Sequence, residues 1–249
     1  MSDKLQQLFC STLLMFFMTP VSALTADEYV IKADSYRQTA EQMKVSTKIR
    51  LYKGGELDKE KHYTVFIKPG RKSLVVFRTP GEKGQKVLML GDRFWLLMPK
   101  SKRPIRITPM QKLLGEASTG DIATMNWHED YSAVMESPGE VNGVKVDSLY
   151  LTAKVKGAGY RNIRLSLEQG SQKPVRAKLY VASGKLAKIA EFVMGEREGR
   201  PQVVKMVLTD RIQKNKVTEV HYEKSESYSL ADKYYNPAYL AKRPKETIE

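Results

Sequence analysis

Short apolar runs separated by turn residues fill most of the chain, and the densest group lies in its first half. Residues 86–90 and 94–98 flank the tight-turn pair at residues 91–92, and the run 105–107 follows a second turn at 99–104. Runs of this length bounded by Gly, Pro and Asp predict strands of an antiparallel meander. Both faces of the first two strands are apolar, so this part of the sheet needs cover on both faces or lines a cavity.

One helix is predicted before the strands, at residues 25–42, where Thr25 is a candidate N-cap and Asp27 and Glu28 suit the helix dipole. Alternating runs predict the remaining strands, at residues 45–52, 63–68, 73–78, 145–154, 162–168, 175–182, 185–194, 202–210 and 216–222. About eleven strands in meander order predict a mainly β fold, either a strongly curved antiparallel sheet or a half-open β-barrel. The N-terminal helix and a helical lid segment are expected to cover it.

That lid segment is predicted at residues 109–131, which interrupt the strand pattern. Met110, Leu113 and Leu114 have i, i+3, i+4 spacing, which predicts a short amphipathic turn or helix, and residues 121–125 predict a second short helix or loop. Such a segment is typical of a lid or plug over a cavity, and a plain surface loop folded onto the core is the alternative. Residues 234–244, in which aromatics stand beside prolines, are predicted to close one edge of the sheet.

Apolar residues at alternate strand positions, with two from the lid segment, form the predicted lipid-binding face. Burying one CH₂ group is worth about 0.8 kcal/mol, so a long acyl chain could bind tightly there without any polar contact. A packed core with no cavity is the alternative. The predicted face comprises Phe77, Leu88, Leu90, Phe94, Leu96, Met98, Met110, Leu113, Leu149, Leu151, Leu165, Leu179 and Met206.

The first 23 residues have the pattern of a secretory signal peptide, with Lys4, an apolar run at 8–18 and small residues before the predicted cleavage after Ala23. A single domain is then predicted at residues 24–249. A retained membrane anchor is the alternative, but an apolar run this short does not span a bilayer comfortably. The one cysteine, Cys10, lies within the removed segment, so the exported protein would have no disulfide or thiol chemistry.

The net charge of +14 favours contact with anionic surfaces. The basic residues of the predicted strands occur singly, which indicates a solvated basic surface, whereas nucleic-acid binding needs a basic stripe with interleaved aromatics. Nucleic acid is therefore not an expected partner. These dispersed residues include Arg161, Arg164, Lys173, Arg176, Lys178, Lys185 and Lys188.

No arrangement of side chains in the sequence predicts catalysis. The three histidines, His62, His128 and His221, are far apart in the chain. Adjacent side chains in the tripeptide 128–130 (His-Glu-Asp) cannot all face one ion, so this tripeptide is expected to be a solvated loop and not a metal site. The sequence has no nucleophile elbow and no phosphate-binding loop. We therefore expect no enzymatic activity, metal or cofactor.

Three motifs occur in an order that resembles a known family. A Gly-Asp-x-Phe-Trp-x-x-x-Pro hairpin begins at Gly91, a Lys-Leu-Tyr-Val-Ala-Ser-Gly-Lys-Leu-x-Lys hairpin begins at Lys178, and Tyr-Asn-Pro-Ala-Tyr-Leu occupies residues 235–240. Together with the signal peptide, the first helix and the lid segment, this order resembles the LolA/LolB-like superfamily of outer-membrane lipoprotein-sorting proteins. The resemblance is greatest to its LolA-like branch of periplasmic carriers.

The resemblance implies a half-open β-barrel, closed by helices, that carries the acyl chains of a lipoprotein or other lipid through the periplasm between the inner and outer membranes. The expected protein is a monomeric carrier that works with an inner-membrane transporter and an outer-membrane acceptor. The resemblance also implies an arginine on an early strand that latches the lid, for which Arg71 and Arg78 are the candidates. The alternative function is a basic interaction module that docks on an envelope transporter complex or an anionic membrane surface without carrying lipid.

Overall fold

The computed structural model describes residues 24–123, 126–210, 216–244 and 246–248, so the predicted signal peptide lies outside the described residues. The α-helices are α1 (Ala26–Ser35), α2 (Thr119–Ala123) and α3 (Pro237–Lys242), and 3₁₀ turns lie at Pro80–Glu82 and Asp232–Tyr235. The strands are β1 (Met43–Lys53), β2 (Glu56–Lys68), β3 (Lys72–Phe77), β4 (Lys86–Leu90), β5 (Arg93–Leu97), β6 (Ile105–Ile107), β7 (Lys112–Leu114), β8 (Ala117–Ser118), β9 (Tyr131–Val141), β10 (Val144–Ala153), β11 (Asn162–Glu168), β12 (Pro174–Tyr180), β13 (Leu186–Arg197), β14 (Arg200–Asp210) and β15 (Lys216–Ser227).

Thirteen strands form one antiparallel sheet in the order β6-β5-β4-β3-β2-β1-β15-β14-β13-β12-β11-β10-β9. Two meanders, β1–β6 and β9–β15, meet where β1 pairs with β15. The sheet is strongly curved but is not closed into a barrel, because its edge strands β6 and β9 do not pair with each other. The prediction of a mainly β fold with a curved, open antiparallel sheet is confirmed, although the predicted number of strands is too low.

Strands β7, β8 and β9 account for much of that difference. The short amphipathic turn or helix predicted at residues 110–114 is not a helix, because β7 and β8 pair there as a small separate hairpin. Gly115 turns this hairpin with φ of +53°, a conformation that glycine adopts without steric cost. Strand β9 is a mostly exposed edge strand that contains Pro138 and Gly139, and it therefore lacks the buried alternation used to recognise the other strands.

Helix α1 begins as the sequence predicts but ends earlier. Thr25 and Glu28 form a capping box, in which the Thr25 hydroxyl accepts from the Glu28 backbone N–H and the Glu28 carboxylate accepts from the Thr25 N–H. The helix ends at Ser35, and the carbonyl of the following Tyr36 accepts a hydrogen bond from Val203 in β14. This contact to the sheet replaces the predicted continuation to residue 42.

The sheet buries apolar residues on both of its faces. Every second residue from Met43 to Leu51 of β1 is buried, which is the period of a strand with one face toward the core. The apolar ones among these residues belong to a large cluster on the concave face of the sheet, covered by α1 and by residues 109–123 and 126–130, here called the lid segment. A second, smaller cluster lies on the convex face of β2–β5.

The C-terminal tail, residues 228–244 and 246–248, covers that convex face. Leu230, Tyr235, Leu240 and Ile248 pack there against strand residues such as Leu74. The prediction that residues 234–244 close an edge of the sheet is therefore corrected, because they lie across a face. Within the described residues, we find no helix whose length and hydrophobicity would allow it to span a membrane.

Candidate functional site

Most of the predicted lipid-binding residues share the concave face of the sheet. Seven are buried in the concave cluster: Phe77, Phe94, Leu149, Leu151, Leu165, Leu179 and Met206. Three more, Leu96, Met110 and Leu113, are partly buried and pack against that cluster. The structure therefore brings ten of the thirteen predicted residues to one apolar interior, which is consistent with a binding face and also with a packed core.

The remaining three residues do not join that interior. Leu88 and Leu90 belong to the convex cluster under the C-terminal tail, so the prediction that they share one interior face with Phe94 is wrong. The strand register gives the reason: Phe94 pairs with Met89, and directly paired residues point to the same face of a sheet. Met98 lies just beyond the end of β5, is half-buried and belongs to neither cluster.

A cavity of about 50 Å³ remains between the lid segment and β11–β14. It is lined by Arg37, Gly120, Asp121, Trp127, Asp130, Tyr131, Gly159, Tyr160, Ile163, Ala177, Leu179, Ala190, Phe192 and Met206. Ala177 and Ala190 are direct partners across β12 and β13, and their small side chains leave space on the floor of the cavity. Small-molecule sites commonly reach about 300 Å³ or more, so an acyl chain would fit only after the lid segment moves.

The lid hairpin β7–β8 lies directly on the concave floor. The Glu116 backbone N–H donates to the Thr218 hydroxyl of β15 over 2.9 Å. At Gly115, a Cβ atom would stand 2.3 Å from the Thr218 Oγ1 atom and 2.9 Å from a methyl carbon of Leu51. Contact this close requires glycine, and it positions Ala117 of the hairpin within the concave cluster.

A buried polar network fastens the lid segment to the far side of the interior. The Lys188 Nζ atom of β13 donates to a carboxylate oxygen of Asp121 in α2 over 2.7 Å and to the Glu116 carbonyl. The Tyr160 hydroxyl donates to the other Asp121 oxygen over 2.7 Å, and Ser118 donates to Asp121 through its backbone and its hydroxyl. Burial raises the pKa of Tyr160 well above its usual value, with Asp121 adding to the effect, so Tyr160 remains a donor.

Lys188 is not part of the solvated basic surface that its sequence predicted. Its side chain is 3% exposed and that of Asp121 is 4% exposed. Lys188 has the same strand parity as the cavity residues Ala190 and Phe192, and a lysine at an inward strand position was the available sequence signal. Its partner Asp121 lies 67 residues away, so the pair could not be recognised from local spacing.

The end of the lid segment is held by α1. Both Asp34 carboxylate oxygens accept from the Trp127 backbone N–H, at 2.9 and 2.7 Å, and Asp34 also accepts from the N–H of His128. The His128 Nδ1 atom lies 3.0 Å from Asp34, and this hydrogen bond raises the pKa of His128. The Arg37 guanidinium lies 3.9 Å from the centre of the Trp127 ring, which itself packs edge-on against Phe192.

Arg71 joins the two meanders of the curved sheet, β1–β6 and β9–β15, which we call its wings. From the turn between β2 and β3, its Nε atom donates to Asp130, which precedes β9, over 2.6 Å. Its Nη1 atom donates to Asp92 in the β4–β5 turn, also over 2.6 Å. Arg71 has φ of +57°, an uncommon and costly conformation for a non-glycine residue that tertiary contacts must maintain. We call Arg71, Asp92, Asp130 and Gly157 the clasp.

Gly157 completes the clasp from the loop between β10 and β11. Its backbone N–H donates to the same Asp92 oxygen over 2.9 Å. A Cβ atom at Gly157 would stand 2.5 Å from the Asp92 Cα atom, so only glycine permits this approach of the two wings. The Arg71 hydrogen bond lowers the pKa of Asp92, whereas burial raises the pKa of Asp130 despite Arg71. Arg71 therefore only partly offsets the cost of burying the Asp130 carboxylate.

The clasp corrects one expectation and separates the two latch candidates. Asp130 is buried on Arg71 and His128 contacts Asp34, so residues 128–130 do not form the solvated loop that we expected. In the part of the chain that the structure describes, no group of three or more potential ligand residues is arranged to hold a metal ion. Arg78 instead contacts the tail, because its Nη2 atom donates to the Ile248 carbonyl over 2.6 Å.

A basic hairpin lies outside the concave interior. The sequence between Asp92 and Glu116 contains no acidic residue, and β5, β6 and their connection carry several exposed cations. The half-buried Trp95 ring lies between two of them, with the guanidinium carbon of Arg93 5.4 Å and that of Arg106 4.7 Å from its centre. The basic residues of this hairpin are Arg93, Lys100, Lys102, Arg103 and Arg106.

Comparison with known proteins places this architecture in a family. A family model described as "-like: Uncharacterized protein" matches residues 69–242. The structure is similar to that of a LolA superfamily protein from Nitrosomonas europaea, with a TM-score of 0.80 and 27% identity over 88% of this chain and 100% of the other. The chain belongs to the LolA superfamily.

Two further solved structures share the fold of this LolA superfamily member. An outer-membrane lipoprotein-sorting protein domain from Vibrio parahaemolyticus has a TM-score of 0.68 and 18% identity over 87% of this chain and 98% of its own. A DUF1329 family protein from Desulfovibrio piger has a TM-score of 0.67 and 19% identity over 85% of this chain and 95% of its own. None of the curated proteins matches the sequence. The matches described here indicate no catalytic family.

Proposed function

We propose that the protein is a carrier that holds the acyl chains of a lipid or lipoprotein against the concave face of its sheet. The observation that carries this proposal is how the interior is covered. One wall of the apolar interior is a separate lid segment, which packs on the concave cluster and makes buried polar contacts around a cavity whose floor includes Ala177 and Ala190. A core that is only structural gains nothing from such a removable wall.

The described structure corresponds to the closed form of this carrier. Loading requires the lid segment to leave the floor at Thr218 and the wings to separate at Arg71, which exposes the concave residues to a ligand. Each CH₂ group of an acyl chain that replaces the lid contacts would then recover about 0.8 kcal/mol of burial. Exchange between lid and ligand keeps the apolar interior covered both before and after loading.

Further parts of the proposal concern place and partners. The name of the Vibrio relative includes outer-membrane lipoprotein sorting, and residues 1–23 have the pattern of a signal peptide. We therefore propose that the carrier is an exported, periplasmic monomer. An inner-membrane transporter would load it and an outer-membrane acceptor would unload it.

The first experiment is native mass spectrometry of the mature protein purified from a membrane-containing lysate, followed by lipid extraction. We expect an acyl-bearing ligand in stoichiometric amount. The variant Ala190→Leu fills the floor of the cavity and should load less lipid, whereas Ala182→Leu on an exposed turn is the matched control. An empty wild-type protein that also ignores added palmitate would contradict the proposal, as would unchanged loading of Ala190→Leu.

A second candidate function is docking on an anionic membrane, and the basic hairpin favours it. An aromatic ring between two cations, in a surface stretch without acidic residues, suits the interface of a bilayer with anionic headgroups. The test is flotation with phosphatidylglycerol vesicles at about 0.05 M and about 0.5 M salt. Arg93→Ser/Arg106→Ser should lose a salt-sensitive binding that the exposed control pair Arg161→Ser/Arg164→Ser retains. Binding that is unaffected by salt and by both pairs would exclude this role for the hairpin.

A further inference from the structure

We propose that Lys188 and Tyr160 form the headgroup site for an anionic acyl ligand, and that Asp121 of the lid occupies this site in the closed form. The ligand class is a lipid with at least one acyl chain and a carboxylate or phosphate group. This inference rests on the proposed carrier function and adds to it the chemistry of the headgroup.

The first observation is the position of the buried cation. The Lys188 ammonium group lies on the inner face of β13, on the same face as Ala190 and Phe192, which line the cavity. A lysine is almost never buried without a partner, because a charge in an apolar interior is costly. Among the described residues, the contacts of Lys188 are the Asp121 carboxylate, the Glu116 carbonyl and the Tyr160 ring.

The second observation is that the two oxygen partners of Lys188 among the described side chains and backbone both belong to the lid segment. When the lid leaves, the ammonium group loses Asp121 and the Glu116 carbonyl together, and the Tyr160 hydroxyl loses its acceptor as well. The Lys188 ammonium group and the Tyr160 hydroxyl would then remain as two donors around the position that the Asp121 carboxylate occupies in the closed form. An ionised headgroup at that position restores both contacts, whereas a neutral headgroup leaves Lys188 buried and unpaired.

The third observation is that this position adjoins the space for an acyl chain. Asp121 and Tyr160 both line the cavity, whose other walls include Leu179 and Met206. If the anionic group of a ligand lies at Lys188, its acyl chain can therefore extend along the apolar floor without bending. The neutral glyceride of a lipoprotein would gain the apolar contacts but not the ionic one, so the site discriminates by charge.

The test compares three ligands with the same chain length, hexadecanol, palmitate and hexadecyl phosphate, by displacement of a fluorescent lipid from the delipidated protein. The wild-type protein should bind the anionic ligands about tenfold or more tighter than hexadecanol, because the neutral ligand leaves a buried charge unpaired. A preference between palmitate and the phosphate identifies the source as a fatty acid or a phospholipid, and either supports the proposal.

Substitutions of Lys188 and of Asp121 should change the binding of anionic ligands in opposite directions. Lys188→Met should lose the preference for anionic ligands but still bind hexadecanol, whereas Lys178→Met, on the exposed side of β12, should keep the preference. In Asp121→Asn the competing lid carboxylate is removed, so palmitate should bind more tightly and should raise the Tm more than in wild type. If Lys188→Met does not fold, Lys188→Met/Asp121→Leu replaces both buried charges by apolar groups, which buried pairs commonly tolerate.

The outcomes separate this inference from the carrier function. Equal binding of all three ligands by the wild-type protein would overturn the headgroup site and leave the carrier intact. An anionic preference that survives in the Lys188 variants would also overturn the site. Failure of every ligand to bind would overturn both proposals, since neither an apolar interior nor a headgroup site would then be accessible.

Discussion

The two faces of the sheet carry two apolar covers, and the two are fastened differently. On the concave face the lid segment adds two buried ion pairs, Asp121 with Lys188 and Asp130 with Arg71, to its apolar packing. On the convex face the tail is held by apolar packing and by cations that reach backbone carbonyls: Lys86 donates to the Pro244 carbonyl over 3.0 Å, and Arg78 donates to that of Ile248.

The difference indicates which cover moves. A carboxylate in a buried ion pair can be exchanged for the anionic group of a ligand, so opening need not leave the cation unpaired. A backbone carbonyl offers no such exchange, and the tail also buries Leu230, Leu240 and Ile248 against the sheet. We therefore regard the lid segment as the mobile wall and the tail as a permanent one.

Removing one member of the buried lid pair should give the largest effect. Asp121→Ala leaves the Lys188 charge buried without a carboxylate, and we expect it to destabilise the closed lid by about 3–5 kcal/mol. On the tail, the matched change Asp232→Ala removes an ion pair to Lys68 whose acid is 80% exposed, and it should have little measurable effect on stability. Hydrogen exchange of lid peptides and thermal melting measure both, and equal effects of the two variants would remove the distinction between the covers.

A methyl group at the lid hairpin should have the next largest effect. Gly115→Ala places a Cβ atom against Thr218 and Leu51 at a φ that alanine adopts poorly, so the hairpin must lift from the floor, at a cost of about 2–3 kcal/mol. The variant should exchange lipid faster than wild type in a transfer assay with fluorescent lipid. Gly139→Ala is the control, since its Cβ would meet nothing within 4 Å and its φ is not positive. Wild-type exchange rates in Gly115→Ala would show that the hairpin is not part of the moving wall.

The two candidate latch arginines provide a direct contrast between the covers. Arg71→Gln removes the charge that pairs with Asp92 and the buried Asp130, and we expect a loss of about 2 kcal/mol in the stability of the clasp, with faster lipid exchange. Arg78→Gln should loosen the tail near Ile248 and leave lipid exchange unchanged. Peptide-level hydrogen exchange locates each change. The reverse pattern would make Arg78 the latch.

A small pH dependence near neutral pH is expected at the lid. The pKa of His128 is raised in the folded protein by its hydrogen bond to Asp34, so its contribution to stability is present below the unfolded pKa of about 6.5 and is lost as the pH rises through the folded pKa. The His128 side chain is 39% exposed, so solvent screening limits the effect to less than about 1 kcal/mol. Wild type should exceed His128→Gln in stability near pH 6 and match it near pH 8. A constant difference across this range would assign the effect to packing instead.

The sequence predicts the sheet well because strand alternation is a local signal. Burial of every second residue in β1 follows directly from its sequence, and the same period identifies most of the interior. The register between strands is not local, so Leu88 and Leu90 could not be separated from Phe94 without knowing that Phe94 pairs with Met89. An assignment to a face requires the pairing as well as the period.

Most of the polar contacts of the site could not be predicted from the sequence. Arg71 was a candidate latch, but its partners Asp92 and Asp130 lie 21 and 59 residues away and converge only when the sheet curves. Gly157 appears as an ordinary turn glycine, and its need for close approach to Asp92 exists only in the folded chain. The inward strand position of Lys188 was a local signal of burial, but the high net charge of the chain favoured its assignment to the surface.

Hydrogen exchange of the lipid-loaded and the delipidated protein, followed by mass spectrometry, tests the central claim most directly. We predict that loading with palmitate changes exchange in lid peptides within residues 109–123 and 126–130, while exchange in the tail peptides of residues 228–244 stays constant. Equal changes in both covers, or a change confined to the tail, would contradict a carrier whose concave wall opens and whose convex wall does not.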